Sequence, residues 1–264
     1  MATTSRVRLG EWISEAWSLM TRQWGVWAGM CTVYFIPLAL IYVTGQVVSY
    51  KMQPRDFTQF SLNAFVESMS RSLALGFVMQ FLMIIVGAFF IGGLYRAAFK
   101  QIKGEPFGIA DLFSGGDLYV RILVASILIG IIEFVATLFC YFPFFIAHGL
   151  LIFTIPLIVR QNAEPLDAMK QSFEAAKQDW LMFAVLAFVT ILLAFVGVVA
   201  CIVGLVFSYP LLILVTSIAY RDYFEPESRS VSRVDELYTK YCKNCGASIP
   251  SNANFCDKCG AGQV

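Results

Sequence analysis

Four long apolar stretches, residues 24–48, 73–95, 122–159 and 181–220, alternate with polar segments along the chain. A hydrocarbon core of about 30 Å takes about 20 helical residues. The first two stretches therefore supply one span each. The last two run to about 40 residues, about 60 Å of helix at 1.5 Å per residue, twice the membrane thickness. Each must fold back as a tight hairpin, with turns near Tyr141–Pro143 and Ala200–Gly204. The pattern predicts an all-α membrane domain of six spans over residues 1–221.

Three polar stretches in front of spans 1, 3 and 5 carry a second pattern. Ile13, Trp17, Met20 and Trp24 fall at 4-3-4 spacing, as do Ile109, Phe113, Gly116 and Val120, and again Met169, Phe173, Ala176 and Trp180. That spacing lines up one helical face. Glu15 and Arg22 oppose it in the first copy, and Lys170, Glu174 and Lys177 in the third. Each copy reads as a helix lying in the membrane interface, anchored by Trp17 and Trp24, by Phe113, or by Phe173 and Trp180. The Gly115-Gly116 pair makes the second copy the weakest helix former.

The ends of spans 2, 4 and 6 also match. Arg96, Arg160 and Arg221 close them, and Glu105-Pro106, Glu164-Pro165 and Glu225-Pro226 follow. Arginine suits a helix C-terminus and reaches for the headgroups, and proline suits the first helical turn. Phe113 to Arg160 is 47 residues and Phe173 to Arg221 is 48, whereas Trp17 to Arg96 is 79, because a polar loop at 49–72 intervenes. These matches predict three units, about 9–104, 105–163 and 164–224, each an interface helix plus a hairpin. All three start on the same side, unlike inverted transporter repeats.

Composition agrees. Of 264 residues, 58% are hydrophobic and 14% charged, against about 25% charged in a soluble domain; the mean hydropathy is +0.71. No Lys/Arg cluster tracks a face, so a nucleic-acid footprint is absent. Of the 19 Lys and Arg, 16 lie in alternate segments on one side and only Lys51, Arg55 and Arg71 on the other. The positive-inside rule then puts both termini on the cytoplasmic side of the membrane. Glu11 and Glu15 follow Arg6 and Arg8 where a secretory signal has an unbroken apolar run, so the first span is expected to remain in the mature protein.

Seven cysteines divide into three and four. Cys31, Cys140 and Cys201 stand singly in apolar stretches, as small buried hydrophobes. Cys242, Cys245, Cys256 and Cys259 form two Cys-x2-Cys knuckles ten residues apart, followed by Gly246 and Gly260. Such a knuckle aims two sulfurs at one point, and glycine permits the left-handed backbone after it. Two knuckles complete a tetrahedral four-thiolate site suited to one zinc ion. No position is left for water or substrate, so the zinc is structural. A segment of about 24 residues builds no core of its own, and metal binding folds it. A reducing cytosol keeps the thiols free. A polar linker, 222–240, precedes the site, with Ser232 and Asp235 as a capping box.

Residues 241–260, with both CxxCG knuckles, resemble the short zinc-ribbon domains appended to many prokaryotic membrane proteins. The resemblance implies the ribbon fold and the metal. Residues 9–226, through segments such as PLIVRQNAEPLDAMKQSFEAAKQDW at 156–180, resemble uncharacterised bacterial membrane families and, loosely, the membrane domain fused to some glycerophosphodiester phosphodiesterases. No phosphodiesterase catalytic domain accompanies it, so that activity does not carry over.

Few polar groups lie at membrane depth. Glu133 is the acidic one and His148 the only histidine of the chain. Counted from the turn, they lie about 13 Å and about 9 Å deep and are placed to meet across the hairpin. They form either a proton or ligand site or a hydrogen-bonded helix tie. Gln46 and Gln80 read as further ties. Asp111, Asp117, Asp167 and Asp179 read as solvated. There is no nucleophile elbow, phosphate loop or zinc-protease motif, and no second histidine. The expectation is a non-enzymatic membrane scaffold whose ribbon contacts a protein partner, with the lipid bilayer as its other contact. The alternative is a transporter or channel for a small or lipid-like solute that uses Glu133 and His148.

Overall fold

The computed structural model describes residues 7–52, 62–139, 141–199, 203–226, 239–242, 244–245, 248–250, 255 and 259–262. The chain divides into two compact units, Met1–Ile218 and Ala219–Val264. In order, α1 is Leu9–Arg22, α2 Trp24–Met52 and α3 Leu62–Ile102. A 3-10 helix over Ile109–Leu118 leads into α4, Tyr119–Leu138. Then come α5, Tyr141–Leu150, α6, Thr154–Gln161, and α7, Pro165–Ala176. A single 3-10 turn, Lys177–Asp179, joins α7 to α8, Trp180–Val199, and α9 is Val203–Phe224. Six helical segments among the described residues are long and apolar enough to cross a membrane. Both predicted fold-backs fall where expected, with helices ending at Leu138 and Val199 and resuming at Tyr141 and Val203.

Three departures have physical causes. Both described ends of the loop expected over 49–72 are helical, because α2 runs on to Met52 and α3 begins at Leu62. The i,i+4 ion pair of Glu67 with Arg71 supports that extension. The second lead-in is a 3-10 helix, burying Leu112, Gly115 and Leu118 at spacing three. Its backbone lies so close to α3 that a Cβ on Gly93 would sit 2.1 Å from the Leu112 carbonyl oxygen. Of the two glycines that weaken this segment as a helix, Gly115 lets the two backbones touch.

The fourth span, expected to be continuous, breaks between Leu150 and Thr154. Pro156 has no N–H to offer and crowds the carbonyl four residues back. Ser172 of α7 repairs the gap. Its hydroxyl donates to the Leu150 carbonyl at 2.8 Å and accepts from the Phe153 amide at 3.1 Å.

The core of the first unit lies where the lead-ins meet the spans. Trp12, Trp27, Met30, Leu94, Leu112, Ile122, Phe153, Leu157 and Phe183 are all fully buried. Away from it, Leu40, Val47, Leu73, Phe77, Leu138 and Phe195 are exposed, as lipid-facing side chains are.

Candidate metal centre and intramembrane polar groups

The second unit carries a two-stranded antiparallel sheet, β1 Thr239–Tyr241 and β2 Ser248–Pro250. Tyr241 pairs with Ser248, so Cys242 follows directly at the end of β1. The Sγ atoms of Cys242, Cys245 and Cys259 all lie within 4.8 Å of one another, close enough to hold one metal ion. The Cys242 and Cys259 sulfurs are 3.5 Å apart. Gly260, after the second knuckle, adopts φ +70°, the left-handed turn expected there. Cys256, the fourth expected ligand, and Gly246 lie outside the described residues, as do Ser232 and Asp235.

The knuckle also prepares its sulfur. Backbone N–H groups of Cys245 and Asn244 point at Cys242, and with the neighbouring thiols they pull its thiol down from 9.0 to about 6. Desolvation opposes them without prevailing. The Asn244 amide lies 3.4 Å from that sulfur. A thiolate held at neutral pH is the form that binds metal. The donors are all sulfur, which suits zinc in a tetrahedral site.

At membrane depth, Glu133 of α4 and His148 of α5 meet. His148 Nδ1 and Glu133 Oε1 are 2.7 Å apart. The His148 side chain is 35% and the Glu133 side chain 21% exposed, so the pair sits at the flank of the hairpin. The Phe144 ring stacks on His148 with centroids 6.1 Å apart.

Sequence reasoning missed several polar ties between helices. Gln101, at the end of α3, accepts the Trp27 indole N–H at 2.9 Å and donates to the Leu19 carbonyl at 2.7 Å. One amide thus ties α1, α2 and α3. Tyr209 of α9 donates to Tyr34 of α2 at 3.1 Å, with the two rings stacked. Tyr95 of α3 lies 3.1 Å from the Thr216 hydroxyl of α9. Their available signal was a hydroxyl within each apolar run. Gln46 and Gln80, expected as ties, are both exposed and make no side-chain hydrogen bond among the described residues. Cys31 is buried; Cys140 and Cys201 lie outside the described residues.

The lead-in anchors point outward. Trp17, Trp24, Phe113, Phe173 and Trp180 are between 43% and 58% exposed. The arginines differ among themselves. Arg96 donates to the Ser114 carbonyl and, at 2.7 Å, to Asp117, fastening α3 to the 3-10 helix. Arg160 lies over the Phe99 ring, 5.4 Å from its centroid. Arg221 is 6% exposed and pairs with Asp222 at 2.9 Å, so it does not reach outward for headgroups. Asp111 is not a solvated acid either. It accepts from Lys100 at 2.6 Å and from the Gly108 amide at 2.9 Å, capping the 3-10 helix.

Comparison with known protein families matches residues 241–262 to the zinc-ribbon domain. Searches of curated proteins and of solved structures found no match.

Proposed function

We propose that this chain is a non-enzymatic membrane scaffold, its six-span domain held in a bacterial inner membrane with both termini cytoplasmic and its ribbon contacting a protein partner. The observation that carries the reading is the convergence of three cysteine sulfurs, Cys242, Cys245 and Cys259, close enough to hold a metal ion. Such a centre folds a small domain rather than activating a substrate. Phe255, 68% exposed on the ribbon, offers an aromatic anchor of the kind interfaces use. The ion is a single structural zinc, with Cys256 as fourth ligand. Cross-linking in living cells tests this. A partner that co-purifies with the wild type and is lost from Cys242→Ser/Cys256→Ser at equal abundance is the expected result. An unchanged partner set refutes it. A C-terminal reporter active outside the cytosol would overturn the orientation.

The threefold repeat belongs to the same reading. Trp12, Ala16 and Met20 are buried on α1, and Ala168, Ser172 and Ala176 on α7. Each trio is offset by the same 156 residues as the outward anchors Trp17/Phe173 and Trp24/Trp180. Tyr209 of the third unit donates to Tyr34 of the first, a contact that supports grouping the three hairpins together.

One observation favours a second reading, transport. The Glu133–His148 contact places a carboxylate and an imidazole together inside the membrane, a costly arrangement that often marks a solute or proton path. Solute flux in proteoliposomes that vanishes in Glu133→Gln supports transport and removes the scaffold reading.

A further inference from the structure

α7 turns its small side chains inward and its large apolar ones outward. Ala168, Ser172 and Ala176 are fully buried. Leu166, Met169 and Phe173 line an open groove on the opposite side, together with Lys170 and Glu174. Leu166 is 60% and Phe173 44% exposed. α8 follows after one turn, and its 20 residues reach about 30 Å, a full hydrocarbon core. α7 therefore lies at headgroup height, and lipid covers its outer face.

The charges in that groove select among lipids. Lys170 is exposed and pairs with no carboxylate among the described residues. Its position, four after Leu166 and three before Phe173, holds its ammonium over the apolar wall. Glu174, one turn further, pairs with Lys177 through one oxygen and keeps the other available. Asp167 adds a second exposed carboxylate to the helix. A purely anionic headgroup meets Lys170, is repelled by Asp167, and gains no contact from Glu174, which has only acceptors to offer. A zwitterionic headgroup with a free ammonium satisfies both signs. Its phosphate faces Lys170, its ammonium donates to Glu174, and an acyl chain fills the groove. The other two lead-ins have no such cation within the outward face. Ser14 of α1 and Ala110 of the 3-10 helix stand where Lys170 stands on α7.

We infer that the outer face of α7 is a binding site for an amine-bearing zwitterionic phospholipid, with Lys170 on the phosphate and Glu174 on the ammonium. The inference rests on the membrane reading but not on the ribbon or its partner. The test is the retention of spin-labelled phosphatidylethanolamine, phosphatidylcholine and phosphatidylglycerol by the full-length protein in nanodiscs, where both leaflets are present. The wild type is expected to favour the ethanolamine lipid over the choline lipid about two- to fivefold, the ratio an exposed ion pair supplies. Glu174→Gln removes that preference, because a quaternary ammonium and a primary one then bind alike. Lys170→Gln lowers retention of all three lipids together, and Lys170→Arg restores it. Both side chains are exposed, so the variants keep the wild-type melting temperature. Equal retention of the ethanolamine and choline lipids by the wild type overturns the assignment, as does a preference for phosphatidylglycerol. A selectivity unchanged in Glu174→Gln does the same. None of these outcomes touches the partner reading, which the cysteine variants test separately.

Discussion

Replacing Gly93 with alanine puts a methyl group where backbone already lies. The new Cβ would sit 2.1 Å from the Leu112 carbonyl oxygen and 2.6 Å from that of Asp111. Gly115 reciprocates, since a Cβ there would meet the Gly93 nitrogen at 2.6 Å. Ordinary contact begins near 3.4 Å, so α3 and the 3-10 helix must part by about 1.3 Å. No flexible side chain can absorb the move, because both obstacles are main chain. A gap of about 1 Å forfeits a quarter to a half of each dispersion contact along the seam, and Leu94, Leu112 and Ile122 are fully buried near it. Overpacking usually costs about 1–3 kcal/mol, and this site belongs at about 3 kcal/mol. The midpoint of thermal unfolding of the purified protein should then fall by roughly 6–12 °C. Gly10 of α1 is the control, because a Cβ there would have nothing within 4 Å. Gly10→Ala should be neutral or stabilising, by up to about 1 kcal/mol, because glycine loses the most freedom in a helix. Gly93→Ala unfolding within about 1 °C of the wild type, or Gly10→Ala falling as far as Gly93→Ala, would show that this contact does not govern the seam.

Three further outcomes are expected. Gln101→Leu leaves the Trp27 N–H and the Leu19 carbonyl unpaired and should destabilise the protein by about 1–3 kcal/mol, read by thermal unfolding; no loss would mean that water replaces the amide. For the ribbon, the Cys242 thiol is lowered in the folded state, from 9.0 to about 6, so its stabilising thiolate is fully present above about 9 and is lost as pH falls through about 6. Zinc release to a chelating dye should therefore rise steeply between about pH 7 and about pH 5, and a flat profile there contradicts the thiolate assignment. For the intramembrane pair, a double-mutant cycle of Glu133→Gln and His148→Gln should give a coupling of about 0.6–2 kcal/mol; additive losses would mean that the 2.7 Å contact contributes nothing.

The features legible in the chain alone are those that local chemistry and the solvent decide. Apolar run length sets the span count, because a bilayer admits helices of one length and leaves no backbone group unpaired. The two knuckles set the metal, because sulfur at x2 spacing converges without help from the rest of the chain. The position of Glu133 and His148 across a tight turn also comes from counting residues. Other features emerge only on folding, wherever the outcome depends on which surfaces meet. Gly115 looks like a flaw in a helix until Gly92 and Gly93 arrive opposite it. Ser172 looks like a polar residue on a solvated face until the broken span needs both a donor and an acceptor. Gln101 and Tyr209 carry no local signal of their partners, which lie 74 and 175 residues away in the chain. The lead-in pattern predicted the outward aromatic anchors but not the inward, protein-packed face beside them. Hydropathy cannot distinguish a face turned to protein from one turned to lipid, because both are apolar. Backbone proximity decides, and it brings the small residues Ala16, Gly115, Ala168 and Ala176 inward, with Trp12 beside them, while Trp17, Trp24, Phe113, Phe173 and Trp180 face out.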